Sequence, residues 1–374
     1  MAEFGRALEM AWPPRIKFGP GLVHAVGDWV KTQSFARPLV VSDPFNARRI
    51  AQLDLPVQPV VFSDLKGEPT TAELDAVLAI ARETRPDVVV GFGGGSAMDL
   101  AKLVVALLDG KQTLGEIIGL NKVAGRSAQL VQVPTTSGTG SEVGARALVI
   151  DAETQNKVAV DSPWMIADLA VVDPDLTLTI PPHVTAATGV DAMAHCVEAF
   201  TSRKAHPLID TYAADGIRLV GRYLKRAVED GRDQEARAGL SLASLYGGFC
   251  LCPVNTTAGH AIAYPLGVRH HIAHGTANAV IFPHTLAANA ASCVEKTEFI
   301  VQALDSISAG RSTFDVAFAF CAGLGIEMTL SRLGVPESDL DRMAQDAFGI
   351  RRLLDNNPRD LGRDDILAIY RAAY

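Results

Sequence analysis

Asp87-Val-Val-Val-Gly-Phe-Gly-Gly-Gly-Ser-Ala-Met-Asp99 is the stretch on which the fold of this chain turns. A β-branched run leads straight into consecutive glycines and then into good helix formers, the order strand, tight turn, helix. Glycines let a ligand approach the backbone, and the helix start offers unpaired N–H groups and a positive dipole end to an anion. A pyrophosphate fits that description, although glycines serve any tight turn. The spacing is not the GxGxxG fingerprint of ordinary dinucleotide folds: counting from Gly91 and Gly93, the third glycine position holds Ser96.

Working outward, short β-rich runs alternate with helical stretches from about Pro38 to Val172, the pattern of a parallel sheet covered by helices. Pro38 to Ser42, Val57 to Phe62, Asp87 to Phe92 and Gln129 to Val133 are the expected strands, with crossover helices over Thr71 to Glu83 and Ala97 to Leu108. After Pro181 and Pro182 the β-branched runs thin out, and long periodic stretches such as Ile209 to Glu229 and Glu235 to Leu251 take over. The expected fold class is therefore α/β plus all-α: a Rossmann-like parallel-sheet dinucleotide domain over residues 1–180 and an all-helical domain over residues 181–374. A chain of 374 residues, 48% hydrophobic and 20% charged, suits two packed cores.

Bulk properties exclude several classes. A net charge of −8 without a long basic run argues against a nucleic-acid partner. Cys196, Cys250, Cys252, Cys293 and Cys321 are odd in number and show no CxxC pairing, which predicts reduced thiols in a cytoplasmic protein. Met1 to Pro14 carries charges and no apolar core of signal length, and no run reaches the ~20 apolar residues of a membrane span. No membrane partner is expected.

Candidate chemistry sits in both halves. Asp43 closes the strand Pro38 to Ser42. There it serves either as an acid that accepts from adenosine ribose hydroxyls, favouring NAD over NADP, or as a helix N-cap. The loop Pro134-Thr-Thr-Ser-Gly-Thr-Gly-Ser-Glu142 adds short donors. In Gly189-Val-Asp-Ala-Met-Ala-His195 a spacing of four puts Asp191 and His195 on one helix face. Five of the nine histidines, His260, His270, His271, His274 and His284, crowd between His260 and His284, and His260 and His274 each lie among small residues. One carboxylate and three imidazoles suit one divalent Fe(II) or Zn(II) ion and suit Mg(II) or Ca(II) badly. Cys196, one residue past His195, points elsewhere and reads as packing.

Gly93-Gly-Gly-Ser-Ala-Met-Asp99, Pro134 to Glu142, Ala187-Thr-Gly-Val-Asp-Ala-Met-Ala-His195 and His274-Gly-Thr-Ala-Asn-Ala279 together resemble the iron-containing (group III) alcohol dehydrogenase family, nearly end to end. The resemblance implies a dinucleotide domain, a helical domain and a divalent metal in the cleft between them. By matched position, Asp191, His195, His260 and His274 look like metal ligands and Asp43 like the ribose-facing acid. Gly94, Gly95, Ser96, Asp99, Thr135, Thr136, Thr139 and Lys157 look like cofactor contacts. The family implies hydride transfer between NAD(H) and a small alcohol, aldehyde or oxoacid, and a homodimer. Two departures stand out: Tyr264 replaces a further histidine four residues after the third ligand, and Glu68-Pro69 replaces an Asn-Pro pair. Tyr264 and His271 are accordingly the candidates for moving the proton. A lyase of the dehydroquinate synthase type and a hydroxyacid-oxoacid transhydrogenase are the alternative activities on the same fold.

Overall fold

The computed structural model describes residues 6–152, 157–305 and 310–374; the first five residues of the N-terminal segment lie outside them. These residues fall into two compact units. One is built from Met10–Thr136 and Gly140–Thr177, the other from residues 6–9, Ser137–Thr139 and Leu178–Tyr374. The loop after Pro134 thus contributes its middle three residues to the second unit.

The first unit is α/β. Its strands are β1 (Ile16–Phe18), β2 (Pro38–Ser42), β3 (Val60–Phe62), β4 (Val88–Gly93), β5 (Gly119–Leu120), β6 (Gln129–Pro134), β7 (Arg146–Ile150), β8 (Lys157–Asp161) and β9 (Leu169–Val172). Six of them form one parallel sheet in the order β1-β9-β6-β4-β2-β3. The helices are α1 (Ala25–Thr32), α2 (Pro44–Ala47), α3 (Thr71–Thr84), α4 (Gly95–Leu107) and α5 (Leu114–Ile117). Alternate residues of β2 and β4 feed two cores. Leu39, Val41 and Val89 meet α3 and α4, while Val40, Val88, Val90 and Phe92 meet Val26, Trp29 and Val30 of α1. A sheet covered on both faces makes its central strands continuous apolar runs, and that is why they are readable in the sequence. Each fully buried valine there contributes roughly 1.5–3 kcal/mol.

Three differences from expectation have physical reasons. The strand expected over Val57 to Phe62 contracts to β3, because at the sheet edge Val60 and Val61 are exposed and only Phe62 is buried. The opposite edge β1 and its neighbour β9 were not foreseen, since three or four residues give too little alternation to stand out. A second sheet, β5-β8-β7, was also missed; it pairs β7 and β8 antiparallel, from Arg146 opposite Asp161 to Ile150 opposite Lys157.

The second unit is helical: α6 (Pro182–Thr201), α7 (Pro207–Glu229), α8 (Gln234–Leu251), α9 (Ala258–His270), α10 (His274–Asn289), α11 (Val294–Leu304), α12 (Thr313–Ala322), α13 (Leu340–Phe348), α14 (Arg351–Leu354) and α15 (Arg363–Ala373). Pro181 and Pro182 stand at the start of α6, where a fixed φ and a missing N–H cost nothing. Helix α6 is apolar nearly all round and buried, packing against α7 and α8 through Val190, Met193, Val197, Ile217, Leu224 and Leu240. Helices α9, α10, α13 and α15 share a second core around Ile262, Val280, Met343 and Tyr370, whose hydroxyl donates to the Ile262 carbonyl. Among the described residues, no helix is long and apolar enough to cross a membrane.

Candidate metal centre and dinucleotide loop

Asp191 and His195 lie one turn apart on α6 and are both buried. His260 sits in the first turn of α9, and His274 is the first residue of α10. The helix starts deliver these two side chains to the α6 stripe. His195, His260 and His274 place Nε2 at 3.9, 3.5 and 3.5 Å from one oxygen, Asp191 Oδ1. The His195 and His260 rings stack with centroids 4.7 Å apart. Asp191, His195 and His260 each offer one ligand atom within 4.8 Å of the other two. Of the four residues singled out for a metal, Asp191, His195 and His260 form the mutually close group, and His274 joins it through its approach to Asp191 Oδ1.

Outer partners orient the rings. His195 Nδ1 lies 3.2 Å from the Gly138 carbonyl, and His260 Nδ1 lies 2.6 Å from Glu198 Oε1. Each Nδ1 donates outward and leaves Nε2 to face the centre. Glu198 Oε2 also accepts from the Thr257 backbone N–H at 2.6 Å and from its hydroxyl at 3.0 Å, so one carboxylate holds both the start of α9 and the His260 ring. Glu198 was not picked out from the sequence. Its signal was there: Asp191, His195 and Glu198 fall at i, i+4 and i+7 on one face of α6. Asn278, one turn after His274, was missed for the same reason. Its Nδ2 lies 2.7 Å from Asp191 Oδ1 and 3.2 Å from both His260 Nε2 and His274 Nε2.

The donor set fits a divalent cation. Asp191 and Glu198 are two buried carboxylates, and three neutral imidazoles leave their double negative charge uncompensated. Without an ion, protons must supply the balance. Burial works against charging His260, but the Glu198 and Asp191 carboxylates outweigh it and hold the ring up to about 10. Asp191 is held well below the usual carboxylate range, its burial overcome by the surrounding imidazoles. His195, where burial dominates, is pushed down. A cation held by Asp191, His195, His260 and His274 would supply that positive charge in place of the proton. Asn278 Nδ2 lies against Asp191 Oδ1, His260 Nε2 and His274 Nε2 at once, and its Oδ1 is buried with no partner.

Tyr264 joins this group through ring contacts, 6.4 Å edge-on to His260 and 5.9 Å from His274. His271 does not. It is the exposed C-cap of α9 in a left-handed conformation, φ 55°. His284, with its ring 4.9 Å from Phe314, is buried and pushed down to about 4 by that burial.

In the α/β unit, Gly94 is the N-cap of α4 and provides no side-chain cap, so the first-turn N–H groups stay free of internal side-chain acceptors. Gly94, Gly95, Ser96, Thr136 and Thr139 are partly accessible, whereas Thr135 is buried and its N–H donates to the Gly93 carbonyl at 2.9 Å. Gly93 must be glycine: a Cβ there would stand 2.9 Å from the Ala97 methyl and 3.2 Å from Asp43 Oδ2.

Two acids do structural work. Asp43 caps α2, with Oδ1 accepting from Phe45 and Asn46 N–H at 2.9 and 3.0 Å and Oδ2 from Asn46 Nδ2 at 2.6 Å. Asp99 accepts from Ser141 Oγ at 2.6 Å and from the Leu148 N–H at 3.0 Å, which ties α4 to β7. The reason is Lys102, one turn on and fully buried, whose Nζ donates to Ser141 Oγ and to the Arg146 carbonyl and lies 3.7 Å from Asp99. A charge buried in an apolar helix needs such a partner. Lys157 lies 2.6 Å from Glu68, half of a departure noted above.

Glu142, beside this cluster, is buried and pushed up by desolvation to about 7, with Lys102 pulling the other way. A carboxyl that binds its proton more tightly when folded loses stability as pH rises from its unfolded value of about 4.5 to about 7. We expect Glu142→Gln to gain in Tm relative to the parent chain between pH 5 and pH 8; a difference that stays flat or reverses contradicts the buried-acid account.

The comparisons with known proteins agree with this geometry. Residues 13–174 match the family model described as iron-containing alcohol dehydrogenase, and residues 185–374 match the Fe-containing alcohol dehydrogenase family, C-terminal. Long-chain-alcohol dehydrogenase 1 of Geobacillus thermodenitrificans is 37% identical, over 98% of this chain and 96% of the relative. The crystal structure of a 1,3-propanediol oxidoreductase has a TM-score of 0.91 at 30% identity, covering 99% of this chain and 100% of that one. Sulfoacetaldehyde reductase from Bifidobacterium kashiwanohense, solved in complex with NAD+, has a TM-score of 0.87 at 27% identity, covering 99% of each chain. Converging ligands, a glycine turn at a helix start and matches over both units lead to one assignment: the chain belongs to the iron-containing alcohol dehydrogenase family.

Proposed function

We propose that Asp191, His195, His260 and His274 hold one divalent ion, Fe(II) or Zn(II), in an enzyme that moves a hydride between NAD(H) and a small alcohol or aldehyde. The single observation that carries the reading is the convergence of three imidazole nitrogens on one Asp191 oxygen. When bound, such an ion supplies Lewis acidity to a substrate oxygen. The protein's own residues do the rest. Glu198 fixes the His260 ring and its tautomer, and Asn278 orients Asp191 and His274.

Gly94, Gly95 and Ser96, at the open start of α4, would cradle a pyrophosphate, and Thr135, Thr136 and Thr139, in the stretch that follows β6, would serve as further cofactor donors. Asp43 keeps lone pairs for a ribose hydroxyl while capping α2, which favours NAD over NADP. Asp99 acts through the loop it anchors, and Lys157 is steered by Glu68. For the proton we favour the Tyr264 hydroxyl over His271, because the Tyr264 ring touches two of the ligand rings.

In this reading residues 1–180 bind the dinucleotide and residues 181–374 hold metal and substrate, a division supported by the change of compact unit between Thr177 and Leu178. The five free cysteines support a cytoplasmic protein. A homodimer completes the proposal, to be checked by sedimentation.

The test is a screen of small alcohols, aldehydes and oxoacids with NAD(H) and NADP(H) on protein reconstituted separately with each metal. Net NAD reduction by an alcohol is expected, and a lyase that recycles its cofactor gives none. Comparable turnover with NADP removes the role of Asp43. In the same assay Tyr264→Phe should lower kcat about a hundredfold and alter the pH profile; an unchanged rate and profile removes Tyr264 from the mechanism.

A further inference from the structure

Arg352, in the short helix α14, lies with its guanidinium 5.8 Å from the centre of the Tyr264 ring. That ring is itself 5.9 Å from the His274 ring. The guanidinium is thus two ring contacts from a residue of the metal group, and all of these residues belong to the helical unit.

Several neighbouring arginines are neutralised by carboxylates. Arg351 is paired with Asp355, Arg359 with Asp365, Arg363 with Asp341 and Arg269 with Asp346. Among the described residues, no carboxylate forms an ion pair with Arg352, which is exposed and held by the aromatic face. A cation over a ring is attracted by the ring face, and that contact spends none of its five N–H donors. Those donors form a rigid fork that matches the oxygens of a carboxylate or sulfonate two at a time.

The ordinary alternative is a solvated surface arginine resting on a convenient ring. Against it stands the identity of the ring: Tyr264 is the side chain that also lines the ligand histidines. An arginine over Tyr264 brings positive charge to the side of that ring away from a group containing two buried carboxylates, Asp191 and Glu198, in a chain of net charge −8. Such charge favours an anion close to a centre whose own side chains repel one.

We propose that Arg352 is a specificity residue, and that this site selects substrates bearing a carboxylate or sulfonate a short chain away from the alcohol or aldehyde carbon. The inference rests on the hydride-transfer reading above. The anion docks on the Arg352 fork and the carbonyl end reaches toward the metal group alongside the Tyr264 ring.

The test uses the metal-loaded enzyme and pairs of aldehydes of equal shape and different charge. These are 4-oxobutanoate against 4-methylpentanal, and 2-oxoethanesulfonate against 3,3-dimethylbutanal, each reduced with NADH. The parent enzyme should prefer at least one anionic member by about 10- to 100-fold in kcat/KM, the span of one charge-assisted hydrogen-bonded pair. The pair in which this holds identifies carboxylate or sulfonate as the group. Arg352→Gln should erase that preference through KM while leaving the neutral aldehydes unchanged, and Arg352→Lys should restore part of it.

Calorimetric titration with 4-hydroxybutanoate and with 2-hydroxyethanesulfonate, without NAD, gives a readout independent of turnover. The preferred anion should bind the parent protein and lose about tenfold or more in affinity in Arg352→Gln. Turnover of neutral aldehydes without an anion preference overturns this inference and leaves the dehydrogenase reading standing. A preference that survives in Arg352→Gln, or an equal loss on neutral and anionic aldehydes, also overturns it. No turnover of any aldehyde or alcohol overturns the hydride-transfer reading, and this one with it.

Discussion

His260→Ala is expected to lose metal and activity together. The substitution removes one of the nitrogens that converge on Asp191 Oδ1, and it strips Glu198 of the 2.6 Å partner that absorbs half of its carboxylate. What remains for Glu198 is Thr257, through its N–H and hydroxyl, and the backbone N–H of residue 260 at 3.4 Å, all on Oε2, in a buried site. Leaving a buried charge without its partner costs about 3–5 kcal/mol, so a fall in Tm should accompany the loss of metal. A second variant separates the two effects. Glu198→Gln keeps all the ligands and the Thr257 contacts but weakens the hold on the His260 ring, and it should lower metal affinity by about 10- to 100-fold. Metal content after dialysis, NAD-linked rate and thermal unfolding measure both variants. A His260→Ala protein that retains a full equivalent of metal and its turnover would falsify the ligand assignment.

The contrast between His260 and Glu198 also shows how far the sequence could be read. His260 and His274 stand out because histidine is rare and small residues surround each of them. Glu198 shares a helix face with Asp191 and His195 by spacing, but it is one glutamate among many, and the contact with His260 Nδ1 is what shows its role. The strand-turn-helix from Val88 into α4 was legible because a strand buried on both faces must be apolar throughout and Gly93 at its end leaves no room for a side chain. The edge strand β1 and the small sheet around β8 carry no such demand. Asp99, which the family resemblance matches to a cofactor contact, shows contacts the sequence does not display: its two oxygens accept from Ser141 and the Leu148 N–H. The deciding fact was the buried Lys102 one turn further on, a charge the sequence displays but whose burial it does not announce.

Gly275→Ala should weaken metal binding more than tenfold without altering any ligand. A Cβ at this position would lie 2.3 Å from the Ala187 carbonyl oxygen and 2.6 Å from its carbon, both backbone atoms of α6. Helix backbone cannot rotate aside as a side chain can, so α10 must move away from α6. His274 is the preceding residue, and Asp191 lies one turn beyond Ala187, so the displacement falls directly on their 3.5 Å approach. Two effects compete. Alanine favours a helix interior over glycine by about 1 kcal/mol, whereas overpacking a tight contact costs typically about 1–3 kcal/mol and more against rigid backbone. The steric term wins, and the variant should lose both Tm and metal. Gly267→Ala is the matched control, since its Cβ would meet nothing closer than the Ile272 carbonyl at 3.5 Å within α9. There the helix preference acts alone, and stability should hold or rise slightly. If Gly275→Ala binds metal as the parent does, close approach of α10 to α6 is not what sets the centre, and the convergence on Asp191 must have another origin.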